Sequence, residues 1–497
     1  MSFVENYPAF SIILCMASAI ISSGIAGKYA RQLNLVLICI VGLLSAIALE
    51  FCIRTNTFYV YSMGRFPAPW GNEIRFGVLE TMMALFFSAI MLLSLIGGRD
   101  HLLREIDPNK ENLYYVLVDL LLSSLLALVY TNDMFTAYVF IEINTISACG
   151  LIMIRENGHT VEAATRYMIM SLIGSGFILF GLSVLYDITG HLLMSNIKLA
   201  VIEIANTGAY HVPLVIAIIF LGIGLAIKSA LFPFHSWLPD SYGFSTVSSA
   251  AILSSLVSKG YIFLLIKIFY RVIGFEVIHE SKLFNVLFVF GLCGMIFGSV
   301  SAIRENDIRR MIAYSSVAQI GYIYMGFGLG IEAGMVASVF HILSHAATKS
   351  MLFISAAGLT DVSGGSKKFI DLSGAGYRNV VAGITFTVGS LSMVGLPLFS
   401  GFISKILFAR AAVEASEKKM ILTLICLGIS VILNAIYFLK TVIRIYVPME
   451  CEYKSIRFKG NERYGMICIC FIILNLLLGM FSEPIVELIE EGLAYFA

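Results

Sequence analysis

Long runs of apolar residues, separated by short polar stretches, make up most of the chain. The runs are continuous rather than alternating, and a membrane-spanning helix needs about 20 such residues. The pattern predicts about 14 transmembrane helices. They lie near 9–26, 33–52, 77–97, 113–130, 133–154, 163–186, 212–234, 246–270, 284–303, 308–329, 334–358, 379–408, 420–446 and 464–482. The twelfth is too long for one straight span and is interrupted near Pro397. A transmembrane barrel is excluded, because its strands alternate apolar and polar residues in segments of roughly 10. Only helices satisfy the backbone of continuous apolar runs in lipid. The fold class is therefore all-α integral membrane.

Composition supports this. Of 497 residues, 59% are hydrophobic and 13% are charged, against about 25% charged in soluble proteins. Mean hydropathy is +0.89. A net charge of +1 leaves no basic or acidic tail to recruit nucleic acid. The nine cysteines are scattered, mostly within apolar runs; Cys468 and Cys470, the closest pair, fit no common zinc or disulfide spacing. They read as small apolar fillers. Met1 to Pro8 carries no basic stretch, so the first apolar run reads as a retained helix rather than a cleaved signal. There is no Walker sequence, dinucleotide fingerprint or C-x-x-C set. The chain is expected to hold no cofactor or metal, and to draw any energy from a partner or an ion gradient.

Loop lysines and arginines set the orientation. Loops after odd-numbered helices hold roughly 18 of them and the other side roughly 9. The richer side includes Lys28, Arg31, Arg155, Arg309, Arg310, Lys367, Lys368 and a cluster from Arg444 to Arg463. That side is expected to face the cytoplasm, which puts both termini outside the cell membrane.

Charges at mid-bilayer are costly and default to functional candidates. Glu142, in VFIEINTIS, sits about nine residues into its helix, or about 14 Å along it. A lone carboxylate there would be neutral, whereas a nearby lysine would favour its charged form. Lys228 precedes Pro233 by five residues. The proline clashes with the Ser229 carbonyl and breaks the helix, making a polar pocket beside the ammonium. The plainer reading is a lysine snorkelling to the interface. Lys405 follows a second break at Gly395–Phe399, around Pro397. Paired interrupted helices point to an internal repeat, and five helices per repeat make the repeats inverted. The resulting segments are 1–112 (helices 1–3), 113–270 (first repeat, helices 4–8), 271–446 (second repeat, helices 9–13) and 447–497 (helix 14). The two lysines are not placed alike about their prolines, which weakens the match. His341, His345 and Lys349 are four apart, so they share one helix face over about 12 Å. They suit proton transfer, with a metal site or satisfied core histidines as rivals. Lys259 follows Ser248 and Ser255 on a similar face, where the hydroxyls either line a hydrated path or glue helices. Asp119 lies nearer a helix end.

At these residues the chain resembles the antiporter-like subunits shared by respiratory complex I, Mrp-type cation/proton antiporters and membrane-bound energy-converting hydrogenases. The matching stretches are TNDMFTAYVFIEINTISACGLI, KSALFPFHSWLPDSY, DIRRMIAYSSVAQIGYI, FHILSHAATKSMLFISAAGL and GLPLFSGFISKILF. The resemblance implies 14 helices with two inverted five-helix repeats. It also implies a proton path from the pair Glu142 and Lys228 through Lys259, His345 and Lys349 to Lys405. Partners would be other membrane subunits and, in some relatives, a peripheral redox arm; the ions would be protons, with Na+ as a further candidate. Two departures stand out. After WLPD this chain reads SYGFSTVSS, without the His and Pro usual there, and Arg309 replaces a common Lys. The chain is also expected to lack the long lateral helix of the largest complex I paralogue. The segment GRFPAPWGNEIRF resembles a stretch in Mrp-type D-like and hydrogenase subunits, which favours an ion-translocating subunit of that kind over one of complex I. A different class of reading, an autonomous solute transporter, would need a substrate-sized midplane pocket.

Overall fold

The computed structural model describes residues 3–66, 71–448, 456 and 461–496. Each apolar run identified above falls mostly on helix; the seventh, expected to reach residue 234, leaves helix at Lys228, where the break begins. The long helices are α1 (Tyr7–Gly24), α2 (Gly27–Thr55), α3 (Val78–Gly97), α4 (Glu111–Tyr130), α5 (Met134–Met153), α6 (Gly158–Thr189) and α7 (His211–Lys228). There follow α8 (Val247–Ile273), α9 (Leu283–Arg304), α10 (Ile308–Gly328) and α11 (Glu332–Asp361). The rest are α12 (Val380–Val394), α13 (Ser400–Glu414), α14 (Glu417–Ile445), α15 (Glu462–Met480) and α16 (Ser482–Ala494). Among the described residues, 12 helices are long and apolar enough to cross a membrane. The chain is a mostly helical, multi-pass membrane protein.

Two interruptions position the interior. The helical path stops at Lys228 and resumes at Leu238, in the short helix Leu238–Phe244. It stops again at Val394 and resumes at Ser400. Each break holds a non-glycine residue at positive φ, Ala230 (+61°) in the first and Leu398 (+80°) in the second. Such backbone is strained and persists only where surrounding packing fixes it. α8 and α11 are buried along their whole apolar windows, so the helices bearing Lys259 and Lys349 form the centre. Close helix pairs flank them. A Cβ at Gly224 of α7 would lie 2.8 Å from the Gly174 carbonyl of α6, so small residues let these backbones approach.

The polar connections are more structured than the sequence pattern shows. Tyr59–Ser62 pairs antiparallel with Glu73–Phe76. Helix Met194–Thr207 buries Ile197 and Val201. Residues 67–70 of the GRFPAPWGNEIRF segment lie outside the described residues, as does most of the Arg444–Arg463 cluster. α16 was not expected. Its charged face carries Glu483, Glu487 and Glu490, and its apolar face buries Ile489 and Leu493. With that charge it cannot read as a span.

Candidate functional site

Glu142 of α5 and Lys228, the last residue of α7, approach to 3.6 Å. The Lys228 side chain is fully buried, so it does not snorkel to an interface; Glu142 is 27% exposed at the molecular edge. Both are held from other helices. The Lys228 ammonium donates to Thr145 Oγ1 at 2.7 Å, and the Ser175 hydroxyl of α6 donates to Glu142. Thr145 lies three residues after Glu142, on the same face of α5. Its hydroxyl meets the Tyr261 hydroxyl at 3.4 Å, and Tyr261 donates to Asn144 at 2.9 Å. The ion pair is thereby joined to α8 two residues from Lys259.

Lys259 lies just beyond a π-helical segment, Leu253–Val257. Such wide turns are frequent at functional sites. The ammonium donates to the Ser254 carbonyl of that segment and to Ser258 Oγ at 3.2 Å. The Ser255 hydroxyl meets Ser350 of α11 at 2.7 Å. This hydrogen bond joins the two central helices beside Lys259 and Lys349. The Lys349 ammonium donates to the Ile312 carbonyl of α10 at 2.8 Å and to Ser315. His345, one turn earlier, is buried, and neither of its ring nitrogens meets a hydrogen-bond partner among the described residues. Buried polar groups of this kind are ordinarily satisfied by water. His341 stacks on His345 with centroids 5.8 Å apart and planes 6° apart. The His341 Nδ1 pairs with Ser404 of α13, the neighbour of Lys405.

Lys405 closes the series. Its ammonium donates to the Met393 and Val394 carbonyls, each at 2.6 Å. These belong to the last turn of α12, where the helix dipole favours a cation. The chain turns away at Gly395 (φ +95°), where a Cβ would come within 2.9 Å of the ammonium. Asp119 stands apart. It lies between α1, α2 and α4 and accepts from Ser18 at 2.7 Å and Asn34 at 2.5 Å. Among the described residues, no cluster of three His, Cys, Asp or Glu could hold a metal ion.

Residues 131–431, more than half of the chain, match the family described as "NADH:quinone oxidoreductase/Mrp antiporter, TM". The chain belongs to this family. This antiporter-family chain is 31% identical to NADH-quinone oxidoreductase subunit N of Desulforudis audaxviator, over 81% of its length and 78% of that protein. It is 26% identical to a Na(+)/H(+) antiporter subunit of Alkalihalophilus pseudofirmus, over 90% of its length and 87% of that protein. Its fold matches a chain in the structure of the membrane-bound sulfane sulfur reductase, an archaeal respiratory membrane complex. There the TM-score is 0.88 at 24% identity, over 98% of this chain and 97% of that one.

The antiporter-family chain holds two charged sites that its hydrophobic pattern does not single out. Glu80 at the start of α3 and Arg271 at the end of α8 pair at 3.0 Å, each 2% exposed. Beside them, Lys267 donates to the Leu128, Val129 and Thr131 carbonyls at the C-terminal end of α4. The Phe496 ring covers the Arg271 guanidinium at 4.8 Å. All three charges lie within a few residues of a predicted helix end, so each reads in sequence as an interface residue. The second site is Arg309, whose guanidinium is buried and donates to the Ser245 carbonyl at 2.6 Å and the Tyr242 carbonyl at 3.2 Å. That is the SYGFSTVSS departure. Thr246 caps α8 there, accepting from the Ser249 backbone at 3.2 Å, and Arg309 holds the turn from the opposite side.

Proposed function

We propose that this chain is a proton-translocating membrane subunit of a multisubunit complex, of Mrp-type or energy-converting hydrogenase-like kind. The observation that carries the reading is the Glu142–Lys228 pair, 3.6 Å apart beside a broken helix, with the carboxylate at the molecular edge and the ammonium inside. A partner that displaces or neutralises Glu142 withdraws the counter-charge from the Lys228 ammonium, which favours release of its proton. The proton then moves along Tyr261, Lys259, the Ser255–Ser350 link, Lys349, His345 and His341 to Lys405, and discharges on the far side. Each lysine is a store whose proton affinity depends on its neighbour, so the sites titrate together.

The finer architecture belongs to the same proposal. Counting α10, and α12 with α13 as one interrupted crossing, gives 14 crossings. Two inverted repeats, 113–270 and 271–446, are supported by the placement of the lysines. Lys228 ends the first half of one broken helix, and the Lys405 ammonium reaches the end of the first half of the other. The sequence offset from each proline hides this likeness. The excess of Arg and Lys in the loops after odd-numbered helices supports an orientation with both termini on the outer side of the cell membrane.

A second reading, a proton-pumping subunit of a NADH:quinone oxidoreductase, is favoured by the 31% identity to a subunit N. The proteins that co-purify with the chain in mild detergent separate the two. A NiFe subunit, or small membrane subunits alone, would support the first reading, and an NADH-binding flavoprotein would support the second. Unimpaired proton flux in proteoliposomes of the whole complex after Lys228→Ala would overturn both.

A further inference from the structure

A recess of about 420 Å³ opens where α9 and α14 end and α10 begins, walled by Ile303, Phe369, Tyr437, Lys440 and Arg444. Its chemistry is amphiphilic. Lys440 and Arg444 are one helical turn apart on α14, so their cationic ends can address one anion. Lys440 is exposed, and neither residue forms an ion pair among the described residues. The one carboxylate in the wall, Glu305, is already taken by Arg310 at 3.2 Å. Arg444 donates Nε to the Phe369 carbonyl, which fixes its stem and leaves the two terminal nitrogens for another acceptor.

Below the recess the surface changes character. A groove of about 540 Å³ shares Lys440 and Ile443 with it and continues along Val431, Ile432, Ile436 and Leu439. Its walls are almost wholly apolar. Arg444 stands next to the last residue of α14, and Lys440 lies about 8 Å from that end. The two cations thus sit at headgroup depth and the groove descends toward the acyl region. A soluble anion would need only the recess, and a plain lipid-facing surface would need neither cation. Basic pockets between transmembrane helices bind anionic lipid headgroups.

We propose that this site binds an anionic phospholipid, with its phosphate between Lys440 and Arg444 and one acyl chain along Ile432 and Ile436. No residue of the proposed proton path lines the recess or the groove, so the site is tested independently of the proposed function.

Native mass spectrometry of the purified full chain, titrated with dioleoyl phosphatidylglycerol or dioleoyl phosphatidylcholine, tests this. Phosphatidylglycerol is expected to bind about tenfold more tightly. Lys440→Gln with Arg444→Gln is expected to reduce it to the phosphatidylcholine level. Ile436→Trp, which fills the groove and keeps both charges, is expected to weaken phosphatidylglycerol as well. Millimolar inorganic phosphate should leave the lipid adduct in place. Equal binding of the two lipids by the unaltered chain would overturn the proposal, and so would undiminished phosphatidylglycerol binding by the charge variant. Full displacement by phosphate would overturn it in favour of a site for a free anion.

Discussion

Replacing Glu142 with Gln removes one charge and almost nothing else. Gln keeps the length of the side chain and a carbonyl oxygen for the Ser175 hydroxyl. What is lost is the attraction across 3.6 Å to the Lys228 ammonium. At an effective dielectric constant near 20, two unit charges at that distance attract by about 4–5 kcal/mol. Glu142 is 27% exposed, so solvent screens part of this, leaving roughly 3 kcal/mol. At about 1.4 kcal/mol per decade, an energy of this size is worth roughly two decades in any rate that depends on the pair. The neutral amine still has Thr145 to bond, so the fold should survive. The expected outcome is assembly close to normal, with coupled proton flux reduced at least tenfold in proteoliposomes of the whole complex. Glu142→Asp, which keeps the charge at a longer distance, should fall between. Normal flux in Glu142→Gln would refute the pairing. A loss of flux matched by loss of assembled complex would refute the claim that the charge, not the structure, is at stake.

Other substitutions separate working groups from supporting ones. Lys405→Arg should impair proton release, because Arg rarely deprotonates; an unchanged transport rate would make Lys405 a fixed charge. Gly395→Ala should lower the unfolding midpoint, since φ is +95° and the added Cβ would crowd the Lys405 ammonium; a cost of at least about 1 kcal/mol is expected. Glu80→Gln should cost about 3–5 kcal/mol by leaving Arg271 buried without its partner. Glu80→Leu with Arg271→Met should recover much of that stability, and a double variant no better than the single one would refute the argument. Outside the spans, Lys367 donates to the Gly243 carbonyl at 3.0 Å, and burial, aided by the nearby Arg309, pushes its ammonium down to about 7. The unfolded chain then binds more protons than the folded one between that value and the ordinary lysine range. Thermal stability should rise from pH 7 to pH 9, and Lys367→Met should flatten the rise.

The sequence made the membrane spans legible because lipid imposes one simple rule, a continuous apolar run. It also exposed Glu142, Lys228, Lys259 and Lys349, because a charge in the middle of such a run has few innocent explanations. Their partners were not legible. Ser175, Tyr261 and Ser350 come from other helices, and nothing in local spacing fixes which helix faces which. Glu80 and Arg271 were hidden for the opposite reason. Near a predicted helix end a charge needs no explanation, and only tertiary packing, with α16 and Phe496 laid over the pair, buries it. The asymmetry of Lys228 and Lys405 about their prolines also misleads in one dimension. A long side chain erases an offset of several residues when its head reaches back across a break.

The π-helical segment before Lys259 has an evolutionary corollary. A wide turn holds one residue more than an α turn, so it can arise by a single-codon insertion and vanish by a single-codon deletion. Deleting one residue within Leu253–Val257 would wind that turn back to α geometry and swing everything beyond it by about 100°. The Lys259 head would leave the Ser254 carbonyl and point at a different neighbouring helix, though no charged residue had changed. Two related chains can therefore share the same lysine and differ in where it aims. In this family a one-residue gap at that position is as informative as a substitution.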